Sequence, residues 1–337
     1  MKLILLEVSH WHVPLYLGAI AAAGHQVVAV SDRDGTIAGA VAQRFGARTY
    51  DDWRRLLTKE QADFAFAFGR HSEMAAIGET LVERGIPFVM EKPCGLTVEE
   101  VRHLRNSVES RRLFAAVPLV QSLGPLAALC EEADRHPGPH HVWFRFIAGP
   151  PLRYPAAGSG WMLDPRQSGG GCFMNLAGHF IELALRILPG VQRVSARISN
   201  AVYGEPIEDY ALVTLESPDG GTAVIETGYL YPSGAGRVRE VYFSMFGRQG
   251  CSVWWGDTGG QASHGEPWRE EEFDLNSDPL YPKFVAATLT AFQEGRTPPV
   301  GLDAMVRVME VTEAAYAAGR TRQPAAVDIR GMGGVHA

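Results

Sequence analysis

Lys92 and His179 are residue types that can move a proton, and each lies in a distinctive stretch of the chain. Lys92 directly follows the apolar run PFVME, and His179 lies between a glycine triplet and an apolar helical pattern in GGGCFMNLAGHFIELALRIL. Asn175 precedes His179 by four residues, so both occupy one face of a helix. Oxidation of an alcohol needs one group that takes the hydroxyl proton and another that stabilises the developing negative charge on oxygen. A lysine and a histidine can fill these two roles.

Strands and helices alternate in the part of the chain that leads up to and beyond Lys92. Most of the strand candidates are apolar on both faces, as in a parallel sheet that helices cover on each side. A capping box formed by Thr97 and Glu100 predicts the start of one of the helices. These patterns predict a doubly wound α/β sheet. The predicted strands are LILLE (3–7), QVVAVS (26–31), ARTY (47–50), DFAFAF (63–68), PFVME (87–91) and LFAAVPL (113–119).

In such a sheet ligands bind beyond the carboxyl ends of the strands, which draws attention to the first turn and to Asp32. The turn VSHWHVP lacks the glycines that usually approach a pyrophosphate, and no glycine occurs before Gly18. Asp32 ends the second predicted strand, where a carboxylate can accept hydrogen bonds from an adenosine ribose, although it could also cap the helix near Thr36. Arg33 could pair with a 2′-phosphate, so NAD is favoured over NADP only weakly.

Two motifs and the end of the chain carry a resemblance to a known family. PFVMEKPCGLT contains an E-K-P tripeptide at the end of a predicted strand. The stretch around His179 follows the pattern G-G-G-x-x-x-D-x-G-x-H. Asn175 stands in place of the aspartate, and Ala177 in place of the glycine two positions after it. With two closing helical segments joined across residues 295–299, the chain resembles the Gfo/Idh/MocA family of oxidoreductases over nearly its whole length.

The resemblance implies a two-domain fold. Residues 1–120 would form an N-terminal Rossmann domain, a doubly wound parallel sheet that binds a dinucleotide. Residues 121–337 would form a C-terminal α+β domain whose open, mostly antiparallel sheet shapes the substrate site and supports a homo-oligomer, either a dimer or a tetramer. Strand and hairpin signals favour this second sheet independently. The predicted strands are HVWFRFIA (141–148), VQRVSARISN (191–200), YALVTLE (210–216), TAVIETGYLY (222–231) and REVYFSMFG (239–247).

The resemblance also implies roles for the residues of the two motifs. Lys92 would orient and polarise the substrate oxygen, and His179 would act as the general acid and base. Asn175 is the third catalytic candidate, and its amide keeps the hydrogen-bonding capacity of the usual aspartate but removes the charge that would stabilise an imidazolium. Glu182 could supply that charge if its side chain turned inward. The expected substrate contacts are Lys92, Trp161, Asn175 and His179, with Trp161 stacking on a sugar ring.

A nonstandard phosphate loop is expected in the first turn. The helix that follows favours phosphate at its amino end through free N–H groups and its dipole. Ser9 and His10 can add hydrogen bonds, β-branched Val8 should extend the strand, and Trp11 or His12 would lie closer to the nicotinamide than a glycine loop allows. The predicted residues for binding NAD, with NADP possible, are Ser9, His10, Trp11, His12, Asp32, Arg33, Phe68, Gly69, His71, Glu91 and Lys92.

Composition and charge argue against several classes of function. The 337 residues carry a net charge of −7 without a basic cluster, which argues against nucleic acid as a partner. No apolar run is long enough to span a bilayer and no targeting segment is evident, so we expect a soluble, cytoplasmic protein. The four cysteines are scattered, His10 and His12 lie close together, and the histidines of RHPGPHH (135–141) have no carboxylate or cysteine arranged around them. We therefore expect no metal.

The leading hypothesis is an NAD(P)-dependent oxidoreductase that acts by hydride transfer on a hydroxyl or carbonyl of a sugar, cyclitol or related polyol. The alternative is a family relative without redox turnover that serves as a cofactor- or sugar-binding protein. The missing glycines and Asn175 motivate this alternative. A third hypothesis is elimination or glycoside cleavage through transient oxidation with retained NAD.

Overall fold

Short parallel strands build the first sheet, which the computed structural model contains in the order β3-β2-β1-β4-β5-β6. The structure describes residues 1–135, 138–233, 239–321 and 325–326, so His136 of the RHPGPHH stretch lies outside it. Every residue of the fourth and fifth strands is buried, because helices cover both faces. The predicted doubly wound sheet is confirmed. Its strands are β1 (Lys2–Leu6), β2 (Gln26–Ser31), β3 (Arg48–Tyr50), β4 (Phe64–Ala67), β5 (Phe88–Met90) and β6 (Ala115–Ala116).

The helices that connect these strands begin and end at recognisable signals. The predicted capping box is present: the Thr97 hydroxyl accepts the Glu100 N–H, and the Glu100 carboxylate accepts the Thr97 N–H. Gly46 ends the second helix with a left-handed φ of +65°, which glycine adopts without a steric penalty. The helices are α1 (Val13–Ala22), α2 (Gly35–Phe45), α3 (Trp53–Lys59), α4 (His71–Glu83) and α5 (Val98–Ser110).

The second sheet has the strand order β14-β13-β12-β11-β7-β10-β9-β8-β15. Strands β7 and β10 are parallel, and all other neighbouring strands described in this sheet are antiparallel. Three predicted strands, at 141–148, 210–216 and 239–247, have the expected bounds. Strands β12 to β14 were not predicted, because TGGQAS and REEE lack apolar alternation. The strands are β7 (His141–Ala148), β8 (Arg193–Ser199), β9 (Tyr210–Glu216), β10 (Thr222–Gly228), β11 (Arg239–Gly247), β12 (Gly250–Trp255), β13 (Thr258–Ser263), β14 (Arg269–Glu272) and β15 (Ala325–Ala326).

The later helices join the two sheets. The eleventh helix packs on α1, where Tyr281 and Phe284 share a buried cluster with Tyr16. The twelfth packs on α5, and Arg102 pairs with Glu310 across that contact. No helix in the described ranges is long and apolar enough to cross a membrane. The helices are α6 (Pro125–Asp134), α7 (Arg153–Ala156), α8 (Pro165–Ser168), α9 (Cys172–Leu176), α10 (Gly178–Ile187), α11 (Leu280–Gln293) and α12 (Leu302–Thr321), with 3₁₀ turns at Val120–Leu123 and Gly160–Leu163.

The glycine triplet at 169–171 lets the chain pass close to its neighbours before α9 begins. Gly169 has a left-handed φ of +77°. A Cβ on Gly170 would collide with the Tyr316 hydroxyl, and one on Gly171 would lie under 3.0 Å from the backbone oxygen of Glu208. The backbone of Cys172 then donates to that same Glu208 oxygen at 3.0 Å. The triplet therefore fixes where the helices that carry Asn175 and His179 begin.

Gly171→Ala should destabilise the protein, because the added methyl group meets backbone atoms that cannot rotate away. We expect the free energy of unfolding to fall by about 1–3 kcal/mol or more. Gly18→Ala is the control. Gly18 is an exposed residue in the middle of α1, and an added Cβ would have no atom within 4 Å. Alanine there should raise the free energy of unfolding by up to about 1 kcal/mol. Urea denaturation of both variants measures the effect, and equal stabilities would contradict this account of the triplet.

Candidate active site

A cavity of about 300 Å³ brings together residues from distant parts of the chain. The turn after β1, the end of β5, and helices α9, α10 and α11 all contribute to its wall. Lys92, Asn175 and His179 line it, as does the predicted cofactor pair Trp11 and His12. Trp161, the fourth predicted substrate contact, is not part of the cavity wall. Residues that the sequence did not single out also line the cavity, among them Gln121, Arg153, Arg239, Asp278 and Tyr281.

Lys92 is 2% exposed, and its ammonium is hydrogen-bonded to Asn175. Lys92 Nζ donates to the backbone oxygen of Asn175 at 2.6 Å and to its Oδ1 at 3.2 Å. Burial lowers the pKa of Lys92 to about 8, although the charge of Glu91 acts in the opposite direction. A lysine in this state is charged at neutral pH and loses its proton in mildly alkaline solution.

Asn175 has its amide oriented by two buried tyrosines. Asn175 Nδ2 donates to the hydroxyl of Tyr154 at 2.7 Å and to that of Tyr229 at 3.2 Å, which leaves Oδ1 facing Lys92. The contact with Lys92 assigns the amide oxygen, because an ammonium can only donate, whereas a tyrosine hydroxyl can donate or accept. Asn175 therefore offers Lys92 a dipole, where an aspartate at this position would offer a carboxylate.

His179 lies in α10 and Asn175 in α9, so the single helix expected for this pair is divided at Ala177. Both side chains line the cavity, and His179 is 7% exposed. Burial, with the nearby Lys92 charge, lowers the pKa of His179 well below its usual value, so the imidazole is neutral at pH 7 and can accept a proton. Its Nδ1 has no partner among the described residues. The Glu182 carboxylate does not supply the missing charge, because it accepts from Arg186 Nε and the Ser122 hydroxyl, each at 2.7 Å.

The first turn differs from the expectation for Val8. Strand β1 ends at Leu6, and Glu7 adopts a left-handed φ of 58°, so Val8 lies in the turn rather than extending the strand. The Ser31 hydroxyl accepts a hydrogen bond from the Glu7 N–H at 3.2 Å and donates one to the Glu7 carboxyl at 3.3 Å. Both bonds support this conformation. Burial raises the pKa of Glu7 to about 7, and the charge of Asp32 adds to the effect. A glutamate thus takes the special backbone conformation for which glycine is the usual residue.

Asp32 is 2% exposed and receives two backbone N–H groups. Its Oδ2 accepts from Ser9 at 2.6 Å and its Oδ1 from Asp34 at 2.8 Å. Asp32 does not cap α2, because that position belongs to Asp34, whose side chain accepts the N–H groups of Thr36 and Ile37. Asp32 instead ties the first turn to the end of β2.

Arg33 pairs with Glu73 on α4. The sequence left open whether Arg33 could meet a 2′-phosphate. Its guanidinium is already matched by a carboxylate, and the carboxyl groups of Glu7 and Asp32 lie nearby. Added negative charge is disfavoured in such surroundings.

Glu91 organises a buried network beneath Lys92. Glu91 Oε1 accepts from the Tyr16 hydroxyl at 2.6 Å and lies 3.0 Å from His12 Nδ1, while Oε2 accepts the Lys92 N–H at 3.0 Å. His10, His12 and Glu91 offer possible metal-ligand atoms that lie within 4.8 Å of one another. Both Glu91 oxygens are engaged by protein groups, and the expected absence of a metal stays a prediction. The sequence showed the histidine pair but not the carboxylate, which lies 79 residues after His12.

The turn after β4 contributes buried rings. His71 Nδ1 lies 2.7 Å from the backbone oxygen of Ser168, and its ring centre is 4.9 Å from that of Trp161. The ring centre of Trp161 also lies 5.8 Å from that of His10. Phe68 is a packing residue, 1% exposed and 5.0 Å from the ring of Tyr16. A Cβ on Gly69 would lie 2.6 Å from Cδ1 of Ile77, so the Ile77 side chain would have to shift.

Fold and site define a class: a doubly wound nucleotide-binding sheet joined to a second sheet, with lysine and histidine in one cavity, is the architecture of a two-domain oxidoreductase. Residues 14–117 match the family profile "Oxidoreductase family, NAD-binding Rossmann fold", and residues 139–252 match "GFO/IDH/MocA C-terminal domain". The two matches together take up more than half of the chain. The chain belongs to the Gfo/Idh/MocA family of oxidoreductases.

Individual relatives agree with this assignment. D-apiose dehydrogenase of Paraburkholderia graminis is 26% identical over an alignment of 221 residues, and the match covers 61% of this chain and 54% of that protein. The chain therefore matches about half the length of this curated relative. An oxidoreductase from Agrobacterium radiobacter, solved with NAD+, L-tartaric acid and magnesium, is 17% identical with a TM-score of 0.84 over 98% of each chain. Levoglucosan dehydrogenase with NADH and levoglucosan is 16% identical with a TM-score of 0.82 over 97% of this chain and 99% of that one.

The residues at the carboxyl ends of β1 and β4 fit a polar ligand such as the dinucleotide of this family. His10 Nε2, Trp11 Nε1 and His71 Nε2 are buried without a protein partner in the described ranges. The three rings are neighbours, since the centre of the His10 ring is 6.4 Å from that of Trp11 and 6.2 Å from that of His71. Buried polar atoms are rarely left unpaired, and a ligand with hydrogen-bonding groups would satisfy them.

Proposed function

We propose that the protein is an NAD-dependent dehydrogenase that oxidises a hydroxyl group of a sugar, cyclitol or related polyol. The observation that carries this proposal is the meeting of Lys92 and His179 in one cavity at the carboxyl edge of an NAD-binding fold. The names of the relatives, which include an apiose dehydrogenase and a levoglucosan dehydrogenase, support a sugar as the substrate class.

Lys92 and His179 divide the proton and charge work between them. The Lys92 ammonium donates a hydrogen bond to the substrate oxygen and stabilises the negative charge that develops there. His179, neutral because burial lowers its pKa, accepts the hydroxyl proton. Asn175 positions the Lys92 ammonium through its Oδ1. NAD, when bound, supplies the hydride acceptor.

The predicted cofactor residues are proposed to hold NAD rather than NADP. Asp32 would meet the adenosine ribose, and the turn from Ser9 to His12 would meet the phosphates at the start of α1. The Arg33–Glu73 pair supports this preference, because the only predicted 2′-phosphate partner already has a carboxylate. His71 and Glu91 lie among the buried groups around Lys92 and would border the nicotinamide half of the cofactor.

Purified protein should reduce NAD in the presence of a polyol or sugar panel, measured by the absorbance of the reduced nicotinamide. Lys92→Ala and His179→Ala should each lower kcat by about 10²–10⁴, because each removes a group that acts on the reacting oxygen. Lys59→Ala, at an exposed position at the end of α3, is the matched control and should leave kcat unchanged.

Calorimetry with NAD separates this proposal from its alternative. Binding of NAD without turnover of any sugar or polyol would favour the redox-inactive binding protein. Neither turnover nor binding would contradict both. Turnover with NADP at least as fast as with NAD would contradict the preference drawn from Arg33 and Glu73.

The pH dependence should report the protonation state of Lys92. Since Lys92 must be charged to stabilise the oxygen, kcat/KM should fall as pH rises through about 8, the pKa of this lysine. Asn175→Asp places a carboxylate 3.2 Å from Lys92 Nζ, which favours the charged form. The falling limb should then move upward by about 1–3 pH units.

Asn106→Asp, which adds the same charge at an exposed position on α5, should leave the limb in place. A limb that stays near pH 8 in Asn175→Asp would show that Lys92 does not control it. A limb that moves equally in both variants would show that net charge alone is responsible.

A homo-oligomer is proposed to form through the outer face of the second sheet. Trp143 and Trp255 are 41% and 64% exposed there, with Tyr242 between them: its ring is 6.1 Å from that of Trp143, and its backbone pairs with Trp255. Contiguous exposed aromatic residues are typical of protein interfaces. A second copy of the chain would cover them.

Light scattering after gel filtration should give the molar mass of a dimer or tetramer, and Trp255→Lys should shift it towards the monomer. Val202→Lys, at a position 63% exposed in the turn between β8 and β9, is the control and should keep the wild-type mass. A monomeric wild-type protein would contradict the proposed interface.

Two further expectations remain proposals. The division into domains at residues 120 and 121 is supported by the two family matches, which end and begin on either side of it. A cytoplasmic location is supported by the four cysteines, all of them free thiols, as is usual in a reducing compartment.

A further inference from the structure

Arg153, at the start of α7, presents a guanidinium to the cavity without a carboxylate partner. Nη1 donates to the backbone oxygen of Gly149 at 2.6 Å, and Nη2 donates to the Tyr154 hydroxyl at 2.9 Å. Nε is buried and has no hydrogen-bond partner in the described part of the chain. None of the ion pairs among the described residues includes Arg153. A guanidinium has five N–H donors, so most of its hydrogen-bonding capacity is unused.

Aromatic rings surround this guanidinium in place of an anion. Its central carbon lies 4.8 Å from the ring centre of Tyr154, 5.2 Å from that of Tyr229 and 5.8 Å from that of Trp11. Such rings attract a cation but do not neutralise it, and buried charges are usually paired. Trp11 also lines the cavity, which places the charge next to the space where the substrate would lie.

The remaining charges of the cavity wall leave a positive excess. Lys92, Arg153 and Arg239 line the cavity, and Asp278 is the only acidic residue in its wall as described. Asp278 is already matched, because its two oxygens accept from Arg239 Nη1 and Nη2 at 3.0 and 2.7 Å. Among the described residues, the Lys92 ammonium donates to two neutral oxygens, the backbone oxygen and the Oδ1 of Asn175. The charge of Glu91, which lies behind the cavity wall, acts on Lys92, so the guanidinium of Arg153 is the one cation of the described wall that no carboxylate matches.

We propose that the natural substrate is a sugar acid, an aldonate or uronate whose carboxylate pairs with Arg153. The inference rests on the proposed dehydrogenase function and names its substrate class. A guanidinium matches a carboxylate in shape and charge, and Nη1 and Nη2 of Arg153 each keep one N–H that a carboxylate oxygen could accept. A cavity of about 300 Å³ is at the small end for ligand sites, which suits a single sugar unit and not a sugar nucleotide.

Matched substrate pairs test this inference with NAD as cofactor. The pairs are D-gluconate with D-sorbitol, D-glucuronate with D-glucose, and D-galacturonate with D-galactose. In at least one pair kcat/KM should be tenfold or more higher for the acid. Arg153→Gln should lower kcat/KM for the acids by about 10–100-fold, mainly through KM, and this loss should be at least fivefold larger than the loss for the neutral partners, roughly in proportion to the lost ion pair.

Two further variants guard against a folding defect. Arg153→Lys keeps the charge and should retain part of the preference for acids, with a KM between those of the wild type and Arg153→Gln. Arg111→Gln removes a charge from an exposed position that follows α5 and should behave as the wild type. Calorimetric titration of NAD-loaded protein with the same acids gives a readout besides turnover.

The outcomes separate the inference from the function on which it rests. Binding of an acid that needs Arg153, without any NAD reduction, would support the carboxylate site and overturn the proposed redox function. NAD reduction that is equal for acids and neutral partners, or a loss in Arg153→Gln that is equal for both, would overturn the inference alone. A sugar phosphate that outperforms every acid would also overturn it. If no compound binds or reacts, both proposals fail.

Discussion

The contact between the Lys92 ammonium and Asn175 is the interaction on which the site depends. It joins the end of a strand of the first sheet to a helix 83 residues further along the chain, at 2.6 Å. Burying an ammonium is costly unless hydrogen bonds compensate for the water that it loses. The backbone and side-chain oxygens of Asn175 provide that compensation, so the two parts of the chain must meet closely. The glycine triplet permits the approach, since side chains there would strike Glu208 and Tyr316.

The elements that hold this contact were largely readable from the sequence, because their signals are local. Strands buried on both faces are continuous apolar runs, and the capping box at Thr97 needs only residues within one helical turn. The edge of the second sheet was not readable. Strands β12 to β14 pair through backbone groups around closely approached glycines, and their side chains carry little alternation. The motifs around Lys92 and His179 were found because a family resemblance marked them, not because spacing placed them in one cavity.

Other features of the site depend on long-range contacts that spacing does not encode. Glu182 could have faced His179, yet Arg186 one turn later and Ser122 on a separate segment hold it elsewhere. Arg33 is adjacent to Asp32 in sequence, but its partner Glu73 comes from α4. The turn without glycines needed Glu7 to take a left-handed conformation, which the Ser31 hydroxyl supports. In each case a partner from another element decided where a polar side chain points, and one sequence alone contains no signal for that choice.

The amide at position 175 and the unmatched guanidinium of Arg153 belong to one charge system. The Tyr154 hydroxyl receives bonds from both Asn175 Nδ2, at 2.7 Å, and Arg153 Nη2, at 2.9 Å. The same hydroxyl donates to Tyr229 at 3.1 Å. An aspartate at position 175 would place a negative charge one hydroxyl away from Arg153 and beside Lys92, and so would offset the positive excess of the cavity. With an amide, the hydrogen-bonded geometry is kept while the excess remains. The departure from the family pattern that first suggested a weakened acid/base site is therefore also the condition under which the cavity would attract an anionic substrate.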